Sequence, residues 1–553
     1  MRATGRILTA GWLVLALAGA VWGQPVTQEW TARYDSYPRL DDVPCRMALD
    51  PSGHVIVTGE AFVSEAELTN FCTIKYDLSG QPVWTAYYDC EGGMDLPLDL
   101  RVDSQGHVYV TGKSYGPTAP PCITVKYSPS GEQLWVTQNN LVSPPEVALL
   151  ELDSQDNIIF AGADYSPSTW QAVALVEKRS PDGSLLWTTT CSTAMADFNL
   201  QNIAVDPGDN LILAGHGGNW SEYVLEVKKL GPDGDLVWEA TWDDTGDGDN
   251  EMVDLAVAAD GSIVVLGCTQ SNVSLLTRYS LVKFSSAGAV LWSAEYQSPG
   301  GLDEPRALAL DGEGNILAGG TAYVPPYTYY PDYAVIKYNT DGLQQWAATY
   351  SSPSPESSDE AQAMTMDPDG NVYLAGYSYC GAATYDDYTT VKLNSAGEVC
   401  WVMQYNNSAV NNTDIPCDIV ADGAGNVFVT GRSAAAFHVY DPRYDYLTIR
   451  YSQPLGLPGG TGAGPPGAFA LSPPHPNPFN PETAVGYRLP APGLVSLRVY
   501  DTAGREVATL VDGWRDSGVH EMAFDGTGLT SGVYLVRMEA GSFVQVQKLI
   551  LLK

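Results

Sequence analysis

The chain has 553 residues, with 65 Asp and Glu against 28 Lys and Arg and a formal net charge of −37. Its length is several times that of a usual domain, which favours a repetitive body with an appendage over a single core. The charge repels phosphate backbones and anionic lipid heads, so nucleic acid is excluded as a partner; it suits an extracellular protein that stays soluble and gathers cations.

Arg2 and Arg6 precede an apolar run from Ile7 to Val21, and small residues follow at Ala18, Ala20 and Gly23. This layout predicts a secretory signal peptide over residues 1–23, cleaved after Gly23 or Ala20. The run is short for a bilayer span of ~20 residues and no later stretch is as apolar, so no transmembrane helix is expected after cleavage. The nine cysteines show no CxxC or Cys/His ligand spacing, which argues against zinc. Cys45 and Cys417 hold equivalent repeat positions at the two ends of the repeated region, and the pair is the one expected disulfide.

Over residues 24–452 one phrase recurs eight times: an Asp, a tight turn, then a short apolar strand ending in Gly. It spans Asp50–Gly59, Asp103–Gly112, Asp153–Gly162, Asp206–Gly215, Ala258–Gly267, Asp311–Gly320, Asp367–Gly376 and Asp422–Gly431. The Asp side chain can bond the turn backbone while Gly supplies positive φ; Asp156 and Asp209 replace that Gly and tolerate the same conformation. Each phrase is followed by a strand ending in Lys or Arg plus one residue, a second turn, and a strand carrying Trp. These Trp residues (84, 135, 187, 238, 292, 346 and 401) lie about fifty residues apart, the spacing of propeller blades. Each unit offers four strands, and its second strand is apolar on both sides, so each sheet must be covered on both faces by its neighbours.

The last unit lacks a Trp strand, whereas residues 29–35 (EWTARYD) match the VWTAYYD strand of the first unit. The segment from Trp30 to Tyr34 is therefore expected to complete the last sheet and close an eight-bladed β-propeller; an open solenoid would leave sheet edges exposed. The elements D-x-x-G-N-V-x-V-T-G, T-x-K-Y and G-x-x-x-W over roughly residues 28–452 resemble the bacterial SBBP propeller repeat. The resemblance implies an extracytoplasmic propeller and carries no catalytic residues.

A Gly/Pro-rich linker occupies residues 453–470 and predicts a tether without a core. Residues 471–553 alternate apolar residues with Gly turns, which suggests a small Ig-like β-sandwich with Val495, Leu497 and Val499 on its buried face. The run Pro476, Asn477, Pro478, Phe479, Asn480, Pro481, together with Tyr500-Asp501, Gly504-Arg505, Gly518 with His520, Ser531–Tyr534 and the terminal Lys548 and Lys553, carries a further likeness. This segment resembles the C-terminal sorting domain of type IX (Por) secretion and the Ig-like domain of the flagellar hook-capping protein. The resemblance implies export across an outer membrane, secretion or surface attachment, and the secretion machinery as a partner.

Candidate sites follow from the repeat. Asp42, Asp95, Asp303, Asp359 and Asp414 precede the repeat Asp by eight residues, so in a ring they start the innermost strands around one channel mouth. They either converge on a cation or cationic ligand or cap their own turns. The Lys/Arg column reads as ion pairs with the repeat Asp, and the Trp column as core between blades. Asp244, Asp247, Asp249 and Glu251 lie in a Gly-rich acidic run that could wrap Ca2+, without EF-hand spacing. Tyr323, Tyr327, Tyr329 and Tyr330 mark an aromatic insert suited to contact with a glycan or protein.

No G-x-S-x-G, H-E-x-x-H, P-loop or dinucleotide motif is present. The expected function is non-enzymatic binding, adhesion or scaffolding by a monomer at the cell surface, through the variable loops and without an obligate cofactor. The competing class is an extracellular propeller enzyme, either a quinoprotein-like oxidoreductase, without that family's adjacent cysteine pair, or a glycoside-active enzyme using two mouth carboxylates.

Overall fold

The computed structural model describes residues 26–453 and 470–553, apart from short segments, the longest at 63–67, 166–170, 325–329, 380–384, 437–442 and 472–478. Two compact units result: Pro25–Pro454, and a second containing Leu455–Lys553. Among the described residues every regular element is a strand.

The first unit contains eight four-stranded antiparallel sheets in a propeller-like arrangement. In the first sheet the strands Val43–Leu49, Val55–Phe62, Thr69–Tyr76 and Pro82–Tyr88 pair in chain order. The next six sheets repeat that meander, opening with Met94–Val102, Ala148–Leu152, Asp197–Val205, Gly248–Val257, Glu304–Leu310 and Asp359–Met366. In the eighth, Asp414–Ala421, Asn426–Ala436 and Arg443–Ser452 receive their fourth strand from the other end of the unit. Thr27–Tyr34 pairs antiparallel with Arg443–Ser452, setting Trp30 opposite Arg450 and Tyr34 opposite Tyr446. The expected closing strand is thus in place.

First strands of successive sheets adjoin one another, and the eighth adjoins the first, giving a cycle of eight. Carboxylates link several of these strands. Asp418 accepts from the Met47 amide at 2.8 Å, Asp99 from Leu150 at 2.8 Å, and Asp254 from Leu308 at 2.7 Å and from the Asn202 side chain at 2.6 Å. Second strands are buried on both faces, as in Val55, Ile56 and Val57, so the core lies between sheets. Ile56 and Phe71 of the first sheet pack with Val108, Val110, Ile123 and Val125 of the second. The turn residues adopt the left-handed region the sequence requires, including Asp156 and Asp209 at φ 58°.

The second unit has a three-stranded sheet (Ala470–Leu471, Glu482–Leu489, Gly518–Asp525) and a four-stranded sheet ordered Glu506–Arg515, Gly493–Asp501, Gly532–Ala540, Phe543–Leu551. One core joins them, with Val495, Leu497 and Val499 buried against Val485, Tyr487 and Val536.

Candidate functional site

The repeat columns hold the sheets together. Asp50 accepts from the Ser52 and His54 amides at 2.8 and 2.9 Å and pairs with Lys75 at 2.7 Å. Lys178–Asp153, Lys229–Asp206 and Lys337–Asp311 repeat this at 2.8, 2.7 and 2.9 Å. Burial by itself would raise the carboxyls of Asp50, Asp153, Asp206 and Asp311, but the lysine and the turn N–H groups outweigh it and hold them below the ordinary value. The same lysine also reaches the next sheet. Lys75 Nζ and Trp84 Nε1 both donate to the Pro129 carbonyl, at 3.2 and 3.1 Å, and Lys126 with Trp135 shares the Pro181 carbonyl at 2.8 and 3.2 Å. A group with this role in nearly every sheet serves cohesion. Recognition is to be sought where the repeat is broken.

Asp42, Asp95, Asp303, Asp359 and Asp414 are each fully buried and engaged with their own connecting loops. Asp42 accepts from Ser36 N and Oγ, both at 2.6 Å, and from Phe62 N at 3.1 Å. Asp95 accepts from Cys90 N at 2.7 Å, Asp303 from Ser298 N at 2.6 Å, Asp359 from Ser352 N at 2.7 Å, and Asp414 from Asn407 N at 2.9 Å. Burial raises all five carboxyls, Asp42 to about 6. Among the described residues no group of three or more His, Cys, Asp or Glu is arranged to hold a metal ion.

Of the acidic run, Asp244 and Asp247 lie outside the described residues, while Asp249 and Glu251 sit in the strand Gly248–Val257 and not in a loop, a correction to the sequence reading. Asp249 stands opposite Gln270 and accepts from Tyr223 N at 3.3 Å; Glu251 is exposed opposite Cys268. Tyr327 and Tyr329 also lie outside the described residues, and Tyr323 and Tyr330 are half-buried. The Tyr323 carbonyl accepts from Gly300 N at 2.8 Å and Ser298 Oγ at 2.9 Å. The expected Cys45–Cys417 disulfide is absent. Both are free thiols, at bulges where Cys417 donates to the Pro44 carbonyl and Cys45 onward to that of Pro97, at 3.2 and 3.3 Å.

The sequence reading missed an arc at the loop ends of the first strands in sheets six, seven, eight and one. The residue after the capping Asp is Glu304 in sheet six and Glu360 in sheet seven, as Glu251 follows Asn250 in sheet five, against Val43, Leu96 and Ile415 in sheets one, two and eight. Glu360 stands opposite Tyr377 and is hydrogen-bonded to it; burial, that bond and the Glu360 charge raise the phenol. Burial and then Glu360 raise Asp386, and burial followed by Asp41 and Asp42 raises Glu60. Tyr444 donates its amide to Asp41 at 3.0 Å, and Arg432 lies 4.7 Å from its ring centre. Glu304 pairs with Arg306 at 2.9 Å. Five carboxylates, Glu304, Glu360, Asp386, Asp41 and Glu60, thus share the arc with two guanidinium groups and the rings of Tyr377 and Tyr444. Comparing each repeat column for its departures would have found them. Toward the turn ends of the first strands lies a cavity of about 370 Å3, lined by Met47, Leu49, Leu100, Arg101, Thr365 and Val420. Arg101 is committed to Asp99 at 2.8 Å and Glu151 at 2.9 Å.

In the second unit, Pro476, Asn477 and Pro478 lie outside the described residues, and Phe479, Asn480 and Pro481 are described. Phe479 is buried 5.7 Å from Phe524, receives Leu552 N at 3.0 Å, and donates to Ile550 O at 2.9 Å. Gly526 N donates to Pro481 O at 2.8 Å. The motif is thereby tied to the last strand.

No curated protein matches the sequence. Among solved structures, the chain is similar to the β-propeller domain of the Trilobed protease from Pyrococcus furiosus (9% identity, TM-score 0.38), covering 68% of this chain and 100% of that one. It is also similar to the polysaccharide lyase Uly1 (10%, TM-score 0.40, 63% and 88% covered) and to a fungal alcohol oxidase of the AA5 family in complex with copper (12%, TM-score 0.38, 95% and 99% covered). Likenesses at this level carry no conclusion about chemistry. Among the described residues no helix is long and apolar enough to cross a membrane. Residues 475–552 match the secretion system C-terminal sorting domain, which marks proteins secreted and attached to the outer cell surface, and this chain is one so exported and sorted, through the type IX machinery.

Proposed function

We propose that the chain is a non-enzymatic binding protein of the outer cell surface. Its body over residues 24–452 is a closed eight-bladed β-propeller of SBBP type, preceded by a cleaved signal peptide (1–23) and followed by a linker (453–470) and an Ig-like sorting sandwich (471–553). The observation that carries the binding assignment is the arc of Glu304, Glu360, Tyr377, Asp386, Tyr444, Asp41 and Glu60. Its carboxylates outnumber its guanidinium groups, their charged forms repel one another, and tyrosine faces stand among them. Such a surface suits an amine- or guanidinium-bearing group on an extracellular protein or glycan, held by charge and by cation–π contact. The neighbouring Tyr insert would extend the contact.

The test is binding of the secreted chain to extracellular-protein and glycan arrays, with Glu360→Gln/Asp386→Asn alongside. Selective capture of basic partners, weakened at least about tenfold by the double variant, is the expected result. Capture unchanged by the variant, or no capture, would sink the assignment. Running the arrays with and without Ca2+ tests whether Asp249, Glu251 and the preceding acidic run contribute a calcium-dependent step.

A further inference from the structure

Five residues before the repeat Lys or Arg, at the loop end of the third strand, sheets five to eight carry a charge: Arg278, Asp332, Asp387 and Asp445. In sheets five and eight the fourth strand supplies the opposite charge three residues after its Trp. Glu295 meets Arg278 at 3.3 Å, and Arg33 meets Asp445 at 2.9 Å. Sheets six and seven have the neutral Thr349 and Gln404 at that place, and Asp387 has a further interaction of its own. Asp332 is 8% exposed and forms no ion pair among the described residues. The groups that act on it are the Ser351 hydroxyl and a second carboxylate, Asp359 of sheet seven.

The surrounding backbone brings these two acids together. Asp359 N donates to the carbonyl of Pro331, the residue before Asp332, at 2.8 Å. Ser352, next to Ser351, donates its amide to Asp359 Oδ2 at 2.7 Å, and Ser357 Oγ donates to Asp359 Oδ1 at 3.4 Å. Ser378 stands opposite Asp359 in its own sheet. Ser352 and Ser378 are 6 and 0% exposed, and their hydroxyls lie against Asp359, yet neither Oγ completes a hydrogen bond.

Ionised together, Asp332 and Asp359 would be two buried charges without a counter-ion, a costly arrangement. We infer that Asp332 and Asp359, with the hydroxyls of Ser351, Ser352, Ser357 and Ser378, bind one Ca2+ between sheets six and seven. The donors select the ion. All are oxygens, which suit a hard cation, and two carboxylates match a double charge. Mg2+ demands a near-ideal octahedron and dehydrates reluctantly, whereas Ca2+ accepts an irregular set. With two carboxylates the other ligands are hydroxyls and water, so the affinity falls at the weak, extracellular end of the calcium range, Kd about 0.1–1 mM. Ser351 is exposed and gives the ion its way in. The site is separate from the acidic run at Asp249 and does not rest on the binding arc.

Thermal melts of the full secreted chain, freed of metal by a chelator and titrated with CaCl2 to about 10 mM, test this. A pH of about 8 keeps protons from competing. Wild type should show a saturable rise in melting temperature, with Mg2+ at least about tenfold weaker. Asp332→Asn should weaken the Ca2+ response at least about tenfold. Thr349→Arg, which gives sheet six the guanidinium that sheet eight has in Arg33, should remove it in a chain that still melts cooperatively. Asp249→Asn/Glu251→Gln should leave it intact. No saturable response in wild type, a response matched by Mg2+, one that survives both Asp332→Asn and Thr349→Arg, or one lost with Asp249→Asn/Glu251→Gln overturns the inference.

Discussion

The side-chain oxygen of Gln453 accepts from the Trp401 indole at 3.1 Å, in the place that a backbone carbonyl of the next sheet takes for the corresponding Trp elsewhere. Trp30, Trp84 and Trp346 donate to Leu78 O, Pro129 O and Ser395 O. The eighth sheet has no second turn, because its third and fourth strands come from opposite ends of the unit, so no such carbonyl exists for Trp401. Gln453 also accepts from Lys392 at 2.9 Å and donates to Tyr373 at 2.7 Å.

Gln453→Ala therefore strips a buried indole and a buried ammonium of their common acceptor. A loss of about 1–3 kcal/mol is expected, read as a lower denaturant midpoint of the secreted chain. An unchanged midpoint would show that the seam does not depend on this substitute.

The Trp contacts also explain which turn glycines are irreplaceable. A Cβ on Gly80 would lie 2.6 Å from the Trp30 ring, whereas one on Gly53 would meet nothing nearer than Leu78 at 3.9 Å; both have φ near +80°. Gly53→Ala should cost about 1–2 kcal/mol from backbone strain alone. Gly80→Ala should cost about 1–3 kcal/mol more through displacement of Trp30. Equal losses in parallel denaturant titrations would mean that the ring yields freely.

Where Asp replaces turn glycine, strain is offset by a link between sheets. Asp156 accepts from Ser104 N at 3.2 Å and from Ser104 Oγ at 2.5 Å; Asp209 does the same for Ser154 at 2.9 and 2.7 Å. Asp156→Gly removes both the strain and the link, so its stability should stay within about 1 kcal/mol of wild type, while Asp156→Ala keeps the strain, loses the link and should cost about 1–3 kcal/mol. Thermal melts in which Ala equals Gly would discount the backbone term.

The periodic parts of the molecule were legible in the sequence because each repeat is a separate statement of one rule. The Asp turns, the Lys–Asp pairs, the Trp contacts and the closing segment at Trp30 all follow from column positions. The disulfide reading failed for a geometric reason. Cys45 and Cys417 occupy the same place in adjoining sheets, and sheets succeeding one another around a cycle present like residues head to tail, so each thiol meets the next sheet's backbone and not the other thiol. The arc of Glu304, Glu360 and Asp386 was obscured by the same periodicity, since reading for what recurs passes over the positions that do not. The acidic run from Asp243 reads as loop from its Gly and Asp content, but pairing of Asp249 with Gln270 overrides that local preference.

Charge burial sets the pH at which the fold is firmest. Burial raises Asp42 and Asp254 to about 6 and Asp332 to about 7, above the ordinary carboxyl value of 3.8, so the folded chain binds these protons more tightly than the unfolded one. Their stabilising effect is complete below the ordinary value and is lost as pH rises from about 4 through 6 to 7. Asp50, Asp153, Asp206 and Asp311 are held low by their lysines and act oppositely, contributing above the ordinary value and losing that contribution as pH falls below about 4. Stability should therefore peak near pH 4–5 and decline toward pH 8, by about 1–3 kcal/mol for each strongly raised group. Asp332→Asn, which cannot ionise beside Asp359, should flatten the decline between pH 5 and 8 in thermal melts. Melting temperatures that rise across that interval, or a slope unaltered by the substitution, would contradict the assignment of these carboxylates as the groups that titrate.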